Sequence, residues 1–467
     1  MDSPSSPTGG ISALTPPATD EPRVVGWLEK ISYGLGDTAS NLVFHMVGTY
    51  LLFFYTDVYG LPVAAVGTLF LFTRVMDAFY DIGAGIVIDK TRTRWGKCRP
   101  WFLWCALPYS LFAVLTFRVP ELAANGKLIY AYITYNCLSL LYTAINLPIS
   151  AMLPSMTRNS QERAETSSVR MFLAIVGMSV VTYGTMPLVA FFGQGDKAKG
   201  FFWTMVLFAT VSFSFFMLTF FNTRERYQPA AHAEPTIRES VRSLSRNWPW
   251  AITLILNFVY WFGYAMRMQT TVYYLRYNFN RPDLIPTVML TNLATLPSIA
   301  IGAYLSRRLG KRNTMMIGLG GMALGVTTIG LAAPGDIALL ISGNIIANFS
   351  KGFYIGLLFA MMADTVDYGE WKTGIRAAGF LFAAATLGVK LGLGFGGAFS
   401  AWILSAAGYI PNVDQTAQVL TAIRANYITV PNICTGVMIF FLFLYRLDGQ
   451  HAQIMRDLKE RRKAKAS

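Results

Sequence analysis

The chain has 467 residues, of which 54% are hydrophobic and 14% charged, and it carries a formal charge of +14. A single soluble globule of that length has no interior large enough to hide so much apolar surface, so a water-soluble enzyme is excluded and a polytopic membrane protein is indicated. The basic residues sit in short stretches between apolar runs, a pattern of membrane orientation rather than of nucleic-acid binding.

Residues 1–30 are rich in Ser, Pro, Thr and Asp and hold no apolar core ahead of a small-residue cleavage site. They read as a disordered cytoplasmic tail, not a signal peptide. Apolar runs of roughly 20 residues then recur, predicting about twelve helices near 31–57, 62–88, 100–118, 128–153, 169–193, 201–222, 250–276, 286–307, 313–333, 337–362, 377–406 and 427–446. Strand-like alternation is absent, which excludes a β-barrel. The expected fold class is therefore an all-α membrane protein of two six-helix bundles, residues 31–222 and 250–446, joined by a central loop at 223–249 and followed by a basic tail at 447–467. A weak internal echo supports two homologous halves: "DKTRTRWGKCRP" after the second helix and "LSRRLGKRN" after the eighth. Lys90, Arg92, Arg94, Lys97 and Arg99, together with Arg307, Arg308, Lys311 and Arg312, lie on the side that also carries both ends. By the positive-inside rule that side is the cytoplasm, and the location expected is a bacterial inner membrane.

Within these helices, Arg74, Asp77 and Asp81 fall in the apolar run from Leu61 to Ile88, where each uncompensated charge costs several kcal/mol. Asp77 and Asp81 are i and i+4 on one helical face, with Arg74 a turn earlier. Two carboxylates so close favour capturing a cation or sharing a proton. A locked structural pair with Arg74 is the plainer alternative, but it leaves the second acid unexplained. Polar stripes recur elsewhere: Asp37, Asn41 and His45 in the first helix, Asn136, Ser139, Thr143 and Asn146 in the fourth, Asn257, Tyr260, Tyr264, Arg267 and Thr271 in the seventh. The tenth offers Asn344, Asn348 and Lys351, and the eleventh Thr386 and Lys390 among glycines. Such stripes must face protein or water, so their convergence predicts a wet central cavity. Arg170, Arg267 and Lys390 would give it an excess of positive charge, which favours an anionic polar solute. Four scattered cysteines and three scattered histidines suggest no disulfide framework, metal cluster or cofactor.

The segments "SYGLGDTASN" (Ser32 to Asn41), "FYTDVYGL" (Phe54 to Leu61), "RVMDAFYD" (Arg74 to Asp81), "TRWGKCRPW" (Thr93 to Trp101) and "DTVDYGEWKTGIR" (Asp364 to Arg376), with the Lys390 region, resemble the glycoside-pentoside-hexuronide cation symporters of the major facilitator superfamily. The resemblance covers nearly the whole chain from about residue 30 and is nearest to bacterial glucuronide carriers, with melibiose permease a more distant cousin. It implies that Asp77 and Asp81 bind the coupling cation, sodium or a proton, with Lys390 and Thr143 beside them, and that Arg170 contacts sugar. Asn41 and Asn146 stand where melibiose permease has acidic residues, a loss of negative charge that suits an anionic substrate.

The expected function is cation-coupled symport of an anionic sugar or glycoside by alternating access, with Asp77, Asp81, Thr143, Asn146 and Lys390 serving the cation. Asp37, Asn41, His45, Asn146, Arg170, Tyr264, Arg267, Lys351 and Lys390 would face the substrate. Sodium would be held by Asp77 and Asp81. The expected partners are a small sugar, a monovalent cation and the lipid bilayer, with no nucleic acid and a monomeric state. A lysolipid transporter of the same fold and a non-transporting sugar receptor are the rival readings.

Overall fold

A computed structural model describes residues 23–157, 159–227, 243–245, 247–375 and 378–466. Six spans form the first bundle: α1 (Trp27–Phe53), α2 (Val63–Lys90), α3 (Arg99–Thr116), α4 (Ala124–Met156), α5 (Ser160–Gly193) and α6 (Lys197–Asn222). The second bundle holds α7 (Trp248–Tyr273), a broken span of α8 (Ile285–Leu290) and α9 (Thr295–Leu309), then α10 (Lys311–Leu331), α11 (Ile337–Thr373) and α12 (Ala378–Ala406). Its last span is again broken, α13 (Ala417–Arg424) and α14 (Val430–Leu444), and a surface helix, α15 (Leu447–Ala466), follows. The twelve expected spans are thus present. Among the described residues nine are long and apolar enough to cross a bilayer on composition alone, and α1, α3 and α7 are not among them; α1 and α7 carry polar stripes.

Hydropathy marks only the part of a helix that lipid covers, and several boundaries therefore move. α5 begins nine residues ahead of its expected start at 169, because Asn159 caps it by accepting the Glu162 amide at 3.0 Å and the polar turns that follow need no lipid. α11 runs on past 362 to Thr373 for the same reason. The expected tail of 1–30 is shorter than read: Val24 and Val25 donate their amides to Glu162, Arg23 and Lys30 pair with Glu165, and α1 starts at Trp27. The remainder of that tail, residues 1–22, and most of the central loop, 228–242, lie outside the described residues.

The two halves echo each other more closely than their sequences do. A π-helical turn at Phe54–Val58 ends the α1 span and another at Tyr274–Asn278 ends the α7 span. Each closes with the same pair of hydrogen bonds, Tyr59 and Leu61 to Phe54 and Tyr55, and Phe279 and Arg281 to Tyr274 and Leu275. The residue that turns the chain has φ +80° at Gly60 and +51° at Asn280, and glycine and asparagine are the residues that adopt this left-handed region at least cost.

The bundles meet along α12. One face of it carries Gly388, Gly392 and Gly396, spaced by four so that α7 approaches backbone to backbone. Another face presents Gly394 to the Arg74 side chain and Ala398 and Ala401 to Gly67, so α12 also lies against α2 of the other half. A Cβ on Gly392 would sit 2.6 Å from the Phe258 carbonyl oxygen. Gly392→Leu should therefore force α7 and α12 apart and lower stability by about 1–3 kcal/mol. Gly356→Leu, where an added Cβ meets nothing within 4 Å, should change it little; thermal unfolding of the two variants in detergent measures the difference.

Candidate functional site

Three clusters of charged residues lie among the helices of the two bundles, apart from a knot around Asp57 at one end. In the first, Asp77 is buried on α2 and takes the Arg74 guanidinium at 2.8 Å on one oxygen and the Ser139 hydroxyl of α4 on the other. Arg74 also reaches Tyr135 at 3.5 Å. A turn further along α2, Asp81 pairs with Lys390 of α12, an ion pair that crosses from one bundle to the other. Thr143, a turn past Ser139 on α4, is buried. Asn146 is not part of it, for its amide turns to Ser40 of α1 at 3.4 Å. In this state both carboxylates are already matched by internal cations.

The second cluster joins α1 to α5. Arg170 donates to Asp37 at 3.1 Å and to the Tyr33 hydroxyl at 3.3 Å. Asn41 bonds the Asp37 carbonyl of its own helix at 2.8 Å. Arg170 is thus a compensated charge, and neither it nor Asp37, Asn41, Asn146 or Lys390 lines the central cavity.

The third cluster is that cavity, about 90 Å³, built mainly by α7, α11, α14 and the break between α8 and α9, with α1 and α5 closing it from the other half. Of the residues read as substrate-facing, His45, Tyr264, Arg267 and Lys351 are here. Arg267 donates to the Asn344 side-chain oxygen at 2.8 Å and lies 5.1 Å from the centre of the Tyr427 ring. Lys351 donates to Asn292 at 2.9 Å and Asn348 at 3.3 Å, and its ammonium is 5.9 Å from the Tyr264 ring. Asn292 reaches the cavity because the eighth span breaks into a 3-10 turn at Thr291–Ala294, pinned where Asn348 bonds Thr291 at 2.9 Å. No carboxylate lines this cavity among the described residues, so two cationic heads are held by neutral amides and aromatic rings.

Asn292 and Tyr427 were not singled out from the sequence. The first sits in a turn that breaks the helical period, and a tyrosine in a transmembrane run reads as packing. Asp57 was likewise missed, because an acid at the end of an apolar run reads as a surface residue. It is buried and gathers Tyr277 at 2.8 Å, Tyr409 at 2.9 Å and Arg276 at 3.2 Å, all from the second half, while Asn412 bonds its carbonyl at 2.8 Å. Thr56 next to it meets the Tyr273 hydroxyl at 2.6 Å. This knot ties the bundles at the end opposite the basic loops. At the basic end the described ion pairs, Glu29 with Arg226, Lys30 with Glu165 and Lys311 with Asp364, join elements of the same half.

Residues 32–449 match the family described as MFS/sugar transport protein. The chain is 40% identical over 453 residues to an isoprimeverose transporter of Lactiplantibacillus pentosus, covering 96% of this chain and 95% of that one. It is 36% identical to the inner membrane symporter YicJ of Escherichia coli K12 (88% and 90% covered) and 31% identical to a glucuronide carrier protein homolog of the same organism (94% and 97% covered). Among solved structures, the nucleoside transporter NupG superposes with a TM-score of 0.62 at 12% identity, covering 89% of this chain and 98% of that one, a likeness of fold. The chain therefore belongs to the MFS/sugar transport protein family, multi-pass membrane transporters rather than enzymes, in the glycoside-pentoside-hexuronide branch of the major facilitator superfamily.

Proposed function

We propose that this transporter couples a monovalent cation to the uptake of an anionic sugar or glycoside, such as a glucuronide, a hexuronate or a sulfonated sugar. The observation that carries the reading is the cavity of Arg267 and Lys351, two cations with amide oxygens and aromatic rings but no carboxylate for company among the described residues. A carboxylate or sulfonate bound there supplies the missing negative charge, and a charge-assisted hydrogen bond to it contributes about 1.5–3 kcal/mol. Tyr264 and Tyr354 offer ring faces for the sugar. Relatives named for glucuronide and for isoprimeverose bracket the choice. The isoprimeverose relative, the more similar of the two, favours a neutral glycoside as the second reading.

Counterflow of labelled glucuronide in proteoliposomes, with unlabelled isoprimeverose as competitor, separates the two. On the anionic reading Arg267→Gln weakens glucuronide at least about tenfold, as expected for the loss of one charge-assisted bond. If isoprimeverose competes best in the wild-type protein and Arg267→Gln leaves every affinity alone, the substrate is neutral.

In the same reading Asp77 and Asp81 are the coupling site, with Thr143 and Lys390 around it, and the ammonium of Lys390 stands in the place of the ion. A proton or sodium ion taken by Asp81 releases Lys390 and removes the ion pair between α2 and α12. Asp81→Asn should then abolish accumulation against a gradient, bringing the internal and external sugar to about equal concentration, while exchange continues. Uptake driven by an imposed sodium or proton gradient tests this; undiminished accumulation by both Asp77→Asn and Asp81→Asn would falsify the coupling model.

The knot around Asp57 supports a state closed toward the outside, the basic end being cytoplasmic on this reading. Removing one partner of a buried charge pair costs about 3–5 kcal/mol, so Asp57→Ala should shift the population toward the outward-open form. A cysteine introduced at Thr49 in the cavity reports it: labelling from outside by a membrane-impermeant thiol reagent should rise at least fivefold over the same cysteine with Asp57 present. Equal labelling would mean that the knot is packing and not a gate.

A further inference from the structure

A second, larger cavity of about 480 Å³ lies at the end opposite the basic loops, in the seam where α5 and α6 of one half face α7 and α8 of the other. Its walls are apolar, with Met186, Val189, Phe201 and Ile285 among them. A buried water needs two to four polar partners and occupies about 30 Å³ of liquid, so a chamber this size and this apolar is better filled by hydrocarbon than by water. Met186 lies seven residues before the end of α5 at Gly193, roughly 10 Å down the helix axis, so the cavity runs from headgroup level into the acyl region.

Two cations stand at its mouth. Lys197 and Arg276 lie 5.9 Å and 5.6 Å from the centre of the same Phe53 ring. Lys197 is exposed, and the described residues give it no carboxylate or hydrogen-bond partner. Arg276 spends one nitrogen on Asp57 at 3.2 Å and another on Asn412 at 2.8 Å, and a guanidinium has five N–H donors. The acid at the mouth, Asp196, is already engaged in capping α6 through the amides of Ala198 and Lys199 at 2.8 Å and 3.2 Å.

We propose that this seam holds one anionic phospholipid, its phosphate between Lys197 and Arg276 and an acyl chain in the cavity. The occupant would brace the outer closure, because it binds the arginine that already holds Asp57 and touches both halves at once. This site is separate from the sugar cavity and stands whichever substrate is carried.

The test uses the purified full-length protein in detergent with phosphatidylglycerol or phosphatidylcholine added, read by native mass spectrometry of retained lipid. The wild-type protein should retain phosphatidylglycerol at least fivefold over phosphatidylcholine. Lys197→Gln, which removes the free cation, and Ala190→Trp, which fills the cavity from an exposed lining position, should each cut that retention at least fivefold. Inorganic phosphate at millimolar concentration should not displace the lipid. Equal retention of the two lipids, retention undiminished in either variant, or displacement by phosphate alone would each overturn the proposal.

Discussion

Hydrocarbon does not tolerate an unmatched charge, and the interior of this protein is arranged around that constraint. A charged side chain at the centre of a helix in a bilayer costs about 2.5–3.5 kcal/mol even by the mildest measures. Asp37, Asp57, Asp77 and Asp81 accordingly each hold a cation: Arg170, Arg276, Arg74 and Lys390. Arg267 and Lys351 have no such partner and lean on asparagine oxygens and aromatic faces. The positive excess thus gathers in one place, the central cavity. A protein built only to stand in a membrane gains nothing from leaving two cations there, and this residue of charge is the basis for reading the substrate as an anion.

On the proposed reading the same constraint makes the contact between halves reversible. Between α2 and α12 the packing of Gly67 on Ala398 and Ala401 is a contact no solute alters, whereas the Asp81–Lys390 pair beside it answers to charge. An ion pair can be broken by a competing ion at modest cost, because about 4 kcal/mol of attraction at 4 Å and an effective dielectric near 20 is offset by the ion that replaces it. On the proposed reading the Asp57 knot works similarly at one end, with hydroxyls and a guanidinium that water can satisfy when the halves part. Polar links between rigid apolar bundles are the structural requirement for two states of similar energy.

Much of this was legible in the sequence, and what was hidden was hidden for physical reasons. Lipid imposes a length and an apolar composition, so the two bundles could be read from recurring apolar runs, although among the described residues α1, α3 and α7 fall short of the composition of a lipid-covered span. The i, i+4 spacing of Asp77 and Asp81 placed them on one face, and the stripes through His45, Tyr264, Arg267 and Lys351 led to the cavity. Periodicity gives a face but not a partner: it grouped Arg170 with the substrate cations, whereas the fold gives it to Asp37, and Lys390, read for both the substrate and the cation site, pairs with Asp81. Asn146 shares the Thr143 stripe and yet turns to Ser40. Asn292 was invisible because its helix breaks beneath it, and Asp57 because its partners Tyr277 and Tyr409 are more than 200 residues away in sequence.

The position of α12 shows how the two functional regions can be linked. Lys390 lies on the helix whose glycine face is fitted to α7, and α7 is the helix that carries Arg267. Close backbone packing of this kind moves as a unit, because sliding one helix would drive its neighbour's carbonyls into the glycine positions. On the proposed reading, neutralising Asp81 frees α12 from α2, and the α7–α12 pair can then rotate with Arg267 and whatever anion it holds. Conversely, an anion that draws Arg267 toward the first half stabilises the arrangement in which α12 has moved. The coupling is reciprocal, as thermodynamic linkage requires, and it runs through a rigid helix pair rather than through direct contact between ion and sugar.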